Sequence, residues 1–368
     1  MNRRQFLSLS AATALASPAL LAAPKPQSKR LGIAWTSVPI RIGQARQANA
    51  VNSSKRLPLP ADDFIELCHS FGAGGAQMGF DQLATTDSDY LKSLRVMLEK
   101  REMFLELGVS ARMLETEESF ATVAEAAREL GVTRLRVACL SGRRYETFST
   151  MKDWQDFAEH WKRTLKQSEA MLKKHKLLVG IENHKDWLAD EQVAILKSVS
   201  SEYLGACVDF GNNLSLLEDS LDVVRKLAPF VITTHLKDMA VRPYADGFEL
   251  SEVALGEGIT PLKTIISILR NVRRDVPICL EMITRDPLKV PYKTDKYWTT
   301  YPQRDEARIQ KFERGVLSKA SAKPLPRITG LSSEQALAES LDGRTFLSTA
   351  TTGFDLVDGT RVRIQFVD

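Results

Sequence analysis

Cysteine is scarce. The chain has four, Cys68, Cys139, Cys207 and Cys279, and no two stand in a CxxC pair. Three lie inside short apolar runs, where a thiol acts as a small buried hydrophobe rather than as half of a disulfide or a thiolate ligand. Histidine is sparse too, at five residues, and the formal net charge is only +4. That margin leaves no electrostatic footprint for nucleic acid. No glycine-rich phosphate fingerprint follows the first apolar run, which counts against an open dinucleotide-binding sheet. Beyond the N-terminus no segment is long and apolar enough to span a membrane. What remains is a chain of 368 residues, 43% apolar and 26% charged, ordinary for a globular protein and longer than one α/β barrel of about 250 residues.

The first residues read as an address. Arg3 and Arg4 precede Gln5-Phe6-Leu7, and the stretch SLSAATALASPALLAA follows. A charged start, a short apolar region and small residues before Pro24 predict an export signal over 1–23, cleaved near Ala22 or Ala23. The Arg-Arg pair is similar to the twin-arginine type, so the mature protein is expected in the periplasm or otherwise outside the cytoplasm, with no stable membrane insertion.

From residue 31 short apolar runs alternate with longer amphipathic ones. The apolar runs are 31–38, 75–80, 109–115, 134–140, 177–183, 204–210, 230–236 and 277–283. They alternate little, as parallel strands covered on both faces do. Helical spacing marks 89–108, ending at Gly108, 116–131, ending at Gly131, and 153–175. Strand followed by helix, eight times over, predicts an α/β fold, a closed (β/α)₈ TIM barrel over 31–303. Residues 304–368 form a C-terminal extension: helical over 304–319, then weakly patterned, with a strand-like end at 359–368. Residues 40–60, with Gly43, Pro58 and Pro60, read as a long first loop. Residues 285–303 can close over the barrel mouth.

Four consecutive late strands each end in one candidate ligand: Glu182, Asp209, His235 and Glu281. Barrel enzymes carry their chemistry at those ends. Three carboxylates alone repel one another, and a divalent cation resolves that. One imidazole and three carboxylates suit Mn²⁺ first, and also Co²⁺, Mg²⁺, Fe²⁺ or Zn²⁺. The lack of thiolates argues against structural zinc.

The segments IENH, VDFGN, HLKD and CLE, with LGEGIT at 255–260, resemble the xylose-isomerase-like barrel superfamily of sugar isomerases, epimerases and endonuclease IV. In ligand layout the chain is most similar to the hexulose 3-epimerases. The resemblance implies that Glu182 and Glu281 bind the metal and also move protons, while Asp209 and His235 mainly hold the ion. Two positions depart from the epimerases: Asn212 stands where they carry a histidine, and Val241 where they carry an arginine, with Arg242 one residue later.

A metal that chelates a ketone and its neighbouring hydroxyl acidifies the C–H between them and stabilises an enediolate. Proton return on the opposite face gives epimerisation, return to the next carbon gives isomerisation, and loss of a leaving group gives β-elimination, a lyase of 3-keto-glycosides. The expected substrate is a small, non-phosphorylated sugar or sugar derivative, with His184, Asn212, Lys237, Trp35 and Arg242 as contacts. Lys237 polarises a carbonyl or pairs with Asp238 or Glu257. Glu115, Arg143 and Arg144 lie at the same end without a role. Endonuclease IV chemistry needs more histidines than this chain has. A non-catalytic carbohydrate-binding barrel predicts eroded ligands, yet all four stand. An oligomer is compatible with the sequence.

Overall fold

The computed structural model describes residues 31–52 and 57–338, and beyond them only the backbone of strands at 346–347, 354–357 and 361–364. The expected export signal lies outside the described residues.

Eight parallel strands close into a barrel: β1 (Gly32–Ala34), β2 (Gly75–Gly79), β3 (Phe104–Ser110), β4 (Arg134–Ala138), β5 (Leu178–Glu182), β6 (Leu204–Asp209), β7 (Val231–Leu236) and β10 (Cys279–Leu280). Strand β10 pairs with both β1 and β7, which shuts the ring. The outer helices are α1 (Pro39–Val51), α2 (Ala61–Ser70), α3 (Ser88–Lys100), α4 (Glu117–Leu130), α5 (Met151–His175), α6 (Ala189–Val199), α7 (Ser220–Leu227) and α8 (Leu262–Val272). One apolar core runs between ring and helices, from Ile33 and Phe64 through Val137 and Leu172 to Leu280. Helix ends follow local chemistry. Thr150 and Asp153 form a capping box at the start of α5, and Gly131 ends α4 at φ +73°. Gly205 lets β6 approach its neighbour, since a Cβ there would sit 2.2 Å from the Phe230 carbonyl oxygen.

Three expectations change. The segment 40–60 is not one long loop, because Pro39–Val51 is helical. Proline sits in its first turn, and alanine, glutamine and arginine carry it past Gly43. The third strand is Phe104–Ser110, not 109–115, and the helix expected to run to Gly108 stops at Lys100. Glu102 adopts φ +51° between them, a reversal that no glycine or proline announces. Gly108 is a strand residue, not a helix cap.

The barrel mouth carries an unexpected addition. Strands β8 (Asp238–Tyr244) and β9 (Gly247–Val253) form an antiparallel hairpin, joined at its edge by β11 (Leu288–Val290). Val241, Phe248, Tyr292, Tyr297, Trp298 and Tyr301 build a second apolar core there, shared with Ile309 and Phe312 of α9 (Glu306–Gly315). The helix expected within 304–319 is therefore present, and it packs on the segment 285–303. Arg144 fastens this layer to the barrel. Its buried guanidinium lies 3.7 Å over Trp154 and 4.3 Å over Tyr301, and it pairs with Glu191 at 2.8 Å.

Candidate metal centre

Parallel register places the late strand ends side by side: Glu182 opposite Cys207, Asp209 opposite His235, and His235 opposite Cys279, two residues before Glu281. One donor atom from each of Glu182, Asp209, His235 and Glu281 lies within 4.8 Å of all the others, and all four residues are buried. His235 Nδ1 stands 3.4 Å from Glu182, 3.7 Å from Asp209 and 3.2 Å from Glu281, yet has no hydrogen-bond partner. A buried, unpartnered imidazole nitrogen facing three carboxylates is what a divalent cation completes. The residues present therefore fit the group that the strand ends imply.

The tautomer is set from behind. His235 Nε2 donates to Gln77 Oε1 at 2.5 Å, Gln77 Nε2 donates to Glu106 at 3.0 Å, and Thr233 donates to the same carboxylate at 2.6 Å. This chain across the barrel interior keeps the proton on Nε2 and turns Nδ1 towards the carboxylates. Burial pushes the Glu106 carboxyl up, opposed by its two donors.

Two cations share the site. Arg136, mid-strand in β4, ion-pairs with Glu182. Lys237, buried, donates to Glu281 at 2.6 Å and ion-pairs with Asp209 at 2.8 Å. Burial alone raises the Glu182 and Glu281 carboxyls. The facing Arg136 and His235 outweigh it for Glu182, His235 and Lys237 for Glu281, and both acids are held well below the usual range. Burial lowers His235, but Cys207, Glu281 and Glu182 raise it well above its ordinary value. A proton on its Nδ1 and a metal ion are thus alternatives for the same place.

The model of the xylose isomerase-like TIM barrel family matches residues 65–301. The chain belongs to that family. Among curated proteins, it is 28% identical over 101 residues to an uncharacterized protein, YihM, of Escherichia coli K12, covering 27% of this chain and 31% of that one. It is 25% identical over 240 residues to a 3-oxo-isoapionate decarboxylase of Pectobacterium atrosepticum, covering 64% of this chain and 82% of that one. A solved D-psicose 3-epimerase from Clostridium cellulolyticum H10 superposes with TM-score 0.50 at 14% identity, covering 78% of this chain and 97% of that one.

In this xylose isomerase-like barrel a cavity of about 970 Å³ opens beside the ligands. Glu281, His235, His184, Arg136 and Trp35 line it, and Glu182 does not. His184 Nδ1 lies 2.8 Å from the Leu140 carbonyl, which only accepts, so Nδ1 carries the proton. Burial first, then Lys185, push His184 down to about 4, which makes it a neutral imidazole.

The other expected contacts sit elsewhere. Lys237 pairs with two ligand carboxylates, not with Asp238 or Glu257. Asp238 instead accepts the amides of Gly256, Gly258 and Thr260 at 2.8–3.0 Å, which shapes the LGEGIT loop. Asn212 lies behind the ligands. It donates to Glu182 at 2.9 Å and accepts from Lys185 at 2.5 Å, so it orients a ligand rather than touching a substrate. Arg242 is on the hairpin opposite Glu249 and outside the cavity lining, so the expected substrate contact does not fit it. Sequence reasoning missed Arg136, Gln77 and Glu106. The available signal for Gln77 and Glu106 was one polar residue inside an apolar strand, whereas Arg136 shares its short strand with Arg134.

Proposed function

We propose that the protein is a divalent-metal-dependent sugar isomerase or epimerase that moves a proton beside the carbonyl of a non-phosphorylated sugar or sugar derivative, through an enediolate. The carrying observation is the unpartnered His235 Nδ1 among Glu182, Asp209 and Glu281 at the edge of a cavity. A divalent ion bound by these four residues, Mn²⁺ by preference, would supply Lewis acidity. The protein's own groups do the rest. Glu281 and His184 both line the cavity and serve as the acid–base pair. Glu182, tied to Arg136 and Asn212, acts as a ligand. Arg136 places a cation where negative charge develops on the substrate. The twin-arginine-type leader supports action outside the cytoplasm.

β-Elimination from a 3-keto-glycoside is the second reading. It is favoured because only one of the two ligand glutamates reaches the cavity, whereas two-glutamate epimerisation needs both. A relative named for decarboxylating a 3-oxo sugar acid supports an oxidised substrate.

The test is to incubate the metal-loaded protein with free and 3-keto sugars in D₂O and follow deuterium by NMR. Label beside the carbonyl is expected, lost in Glu281→Gln, and the products separate isomerase, epimerase and lyase. No exchange with any sugar would sink the proton-transfer reading.

A further inference from the structure

The cavity is larger than one sugar ring requires, and one part of its lining is aromatic. Its volume of about 970 Å³ lies near the top of the roughly 300–1,000 Å³ range for drug-sized ligands. The metal donors reach it only through His235 and Glu281, at one side. The remaining wall comes from the ends of β1–β4, from His184 after β5 and from α5, and it mixes polar side chains such as Gln82 and Ser141 with apolar ones. Trp35, Phe80, Met113, Phe157 and Trp161 line that wall, and all but Trp161 are only partly covered by the protein. Apolar surface left open to water is unfavourable, and a ligand ring laid on it recovers that free energy. The rim is different again. Arg112 and Glu115 are exposed there, and Glu115 stands 3.4 Å from His160.

A monosaccharide held by its oxygens at the ligand end leaves this aromatic wall bare. The wall is continuous with the site, so the group that covers it must be attached to the sugar. We propose that the substrate is a glycoside whose sugar carries a keto group: the sugar lies at Glu281 and His235, and a ring-bearing aglycone lies on Trp35, Phe80, Met113 and Phe157. This rests on the sugar-directed reading above and adds the class of substrate. It also suits the elimination reading of a 3-keto-glycoside, in which the aglycone is the leaving group: the electron pair of the C–H beside the ketone becomes the new C=C bond, the glycosidic C–O bond breaks, and the proton goes to the departing oxygen.

The test is calorimetric binding to the Mn²⁺-loaded protein. Methyl and 4-nitrophenyl glycosides of glucose, galactose and xylose, in their 3-keto forms as well as unoxidised, are compared in both anomers. For at least one sugar the nitrophenyl member is expected to bind about tenfold tighter than the methyl member. Phe157→Ala removes most of that gain and leaves the methyl glycoside unchanged. Met113→Ala serves the same purpose if Phe157→Ala fails to fold, as judged by circular dichroism. Equal affinity of the two members for every sugar, or no binding by any nitrophenyl glycoside, overturns the proposal. The readout is binding, so its failure leaves the isotope-exchange test untouched, and failure of exchange leaves this preference standing.

Discussion

The two halves of the barrel do different work. Strands β5, β6 and β7 and the residue just after β10 supply the four candidate metal donors, and those donors sit in a dense cluster of opposed charges. The ends of β1–β4 and the segments after them supply most of the cavity wall, where large apolar side chains such as Trp35, Phe80 and Met113 stand among polar ones such as Gln82 and Arg112. Four residues of the first half cross over. Thr36 and Arg136 bond to Glu281 and Glu182, and Gln77 and Glu106 hold His235 from behind. The second half is thus a charge assembly tuned by the first, and changes in each half should fail in different ways.

The largest separation is expected from His235→Ala. Losing a ligand should weaken Mn²⁺ binding by on the order of 10³-fold, more than the roughly 10–100-fold typical of supporting residues. Phe80→Ala on the opposite wall should leave the metal constant unchanged. Titration calorimetry on both variants decides, and equal losses would erase the division.

Lys237→Met comes next. It leaves Asp209 and Glu281 buried without their cation, and breaking such a pair costs roughly 3 kcal/mol. The protein should therefore melt earlier without metal and regain most of the loss with Mn²⁺, whose charge replaces the ammonium. Thermal unfolding with and without metal tests this, and an unchanged metal-free melting point would show that Lys237 is not needed for charge balance.

Asp186 gives a smaller, pH-dependent effect. Its Oδ1 accepts the His184 and Trp187 amides, while Oδ2 is buried without a partner, and burial pushes the carboxyl up to about 7. The folded chain therefore keeps a proton that the unfolded chain releases at about pH 4. Stability should fall as pH rises from about 4 to about 7 and then level off. Asp186→Asn should remove that slope and gain on the order of 4 kcal/mol at pH 8, with little change at pH 4. Denaturant melts across pH would expose the opposite sign.

The same division explains what could be read from the sequence. Each metal ligand ends an apolar strand, and four such endings in succession stand out against a plain background. The first half offered no such signal. Arg136 and Gln77 point inward from mid-strand, where nothing in their spacing distinguishes them. Glu106 was hidden further, because Phe104–Ser110 continues the apolar spacing of the helix before it and the reversal at Glu102 falls on an ordinary residue. The hairpin at the mouth has a signal of its own, Asp246-Gly247 between alternating runs, which the pattern of eight parallel strands passes over.

Thr36→Val is the most delicate probe of the link between the halves. Thr36 follows β1, is exposed to the cavity, and donates to Glu281 Oε1 at 3.0 Å. The other oxygen of that carboxylate accepts from Lys237. The hydroxyl therefore fixes which way the one cavity-facing ligand glutamate turns. Valine keeps the shape and removes one hydrogen bond to a charged group, worth about 1–2 kcal/mol when buried and less at this exposed position. Metal affinity should fall only about threefold, since Glu281 keeps Lys237. If Glu281 is the acid–base group, kcat should fall more than the metal constant at saturating Mn²⁺, because a freely turning carboxylate spends less time in reach of the substrate proton. Thr36→Ser, which keeps the donor, should restore kcat. A loss of metal affinity and kcat in equal measure would make Thr36 a support for the ion alone, and the proton-transfer role would then pass to His184.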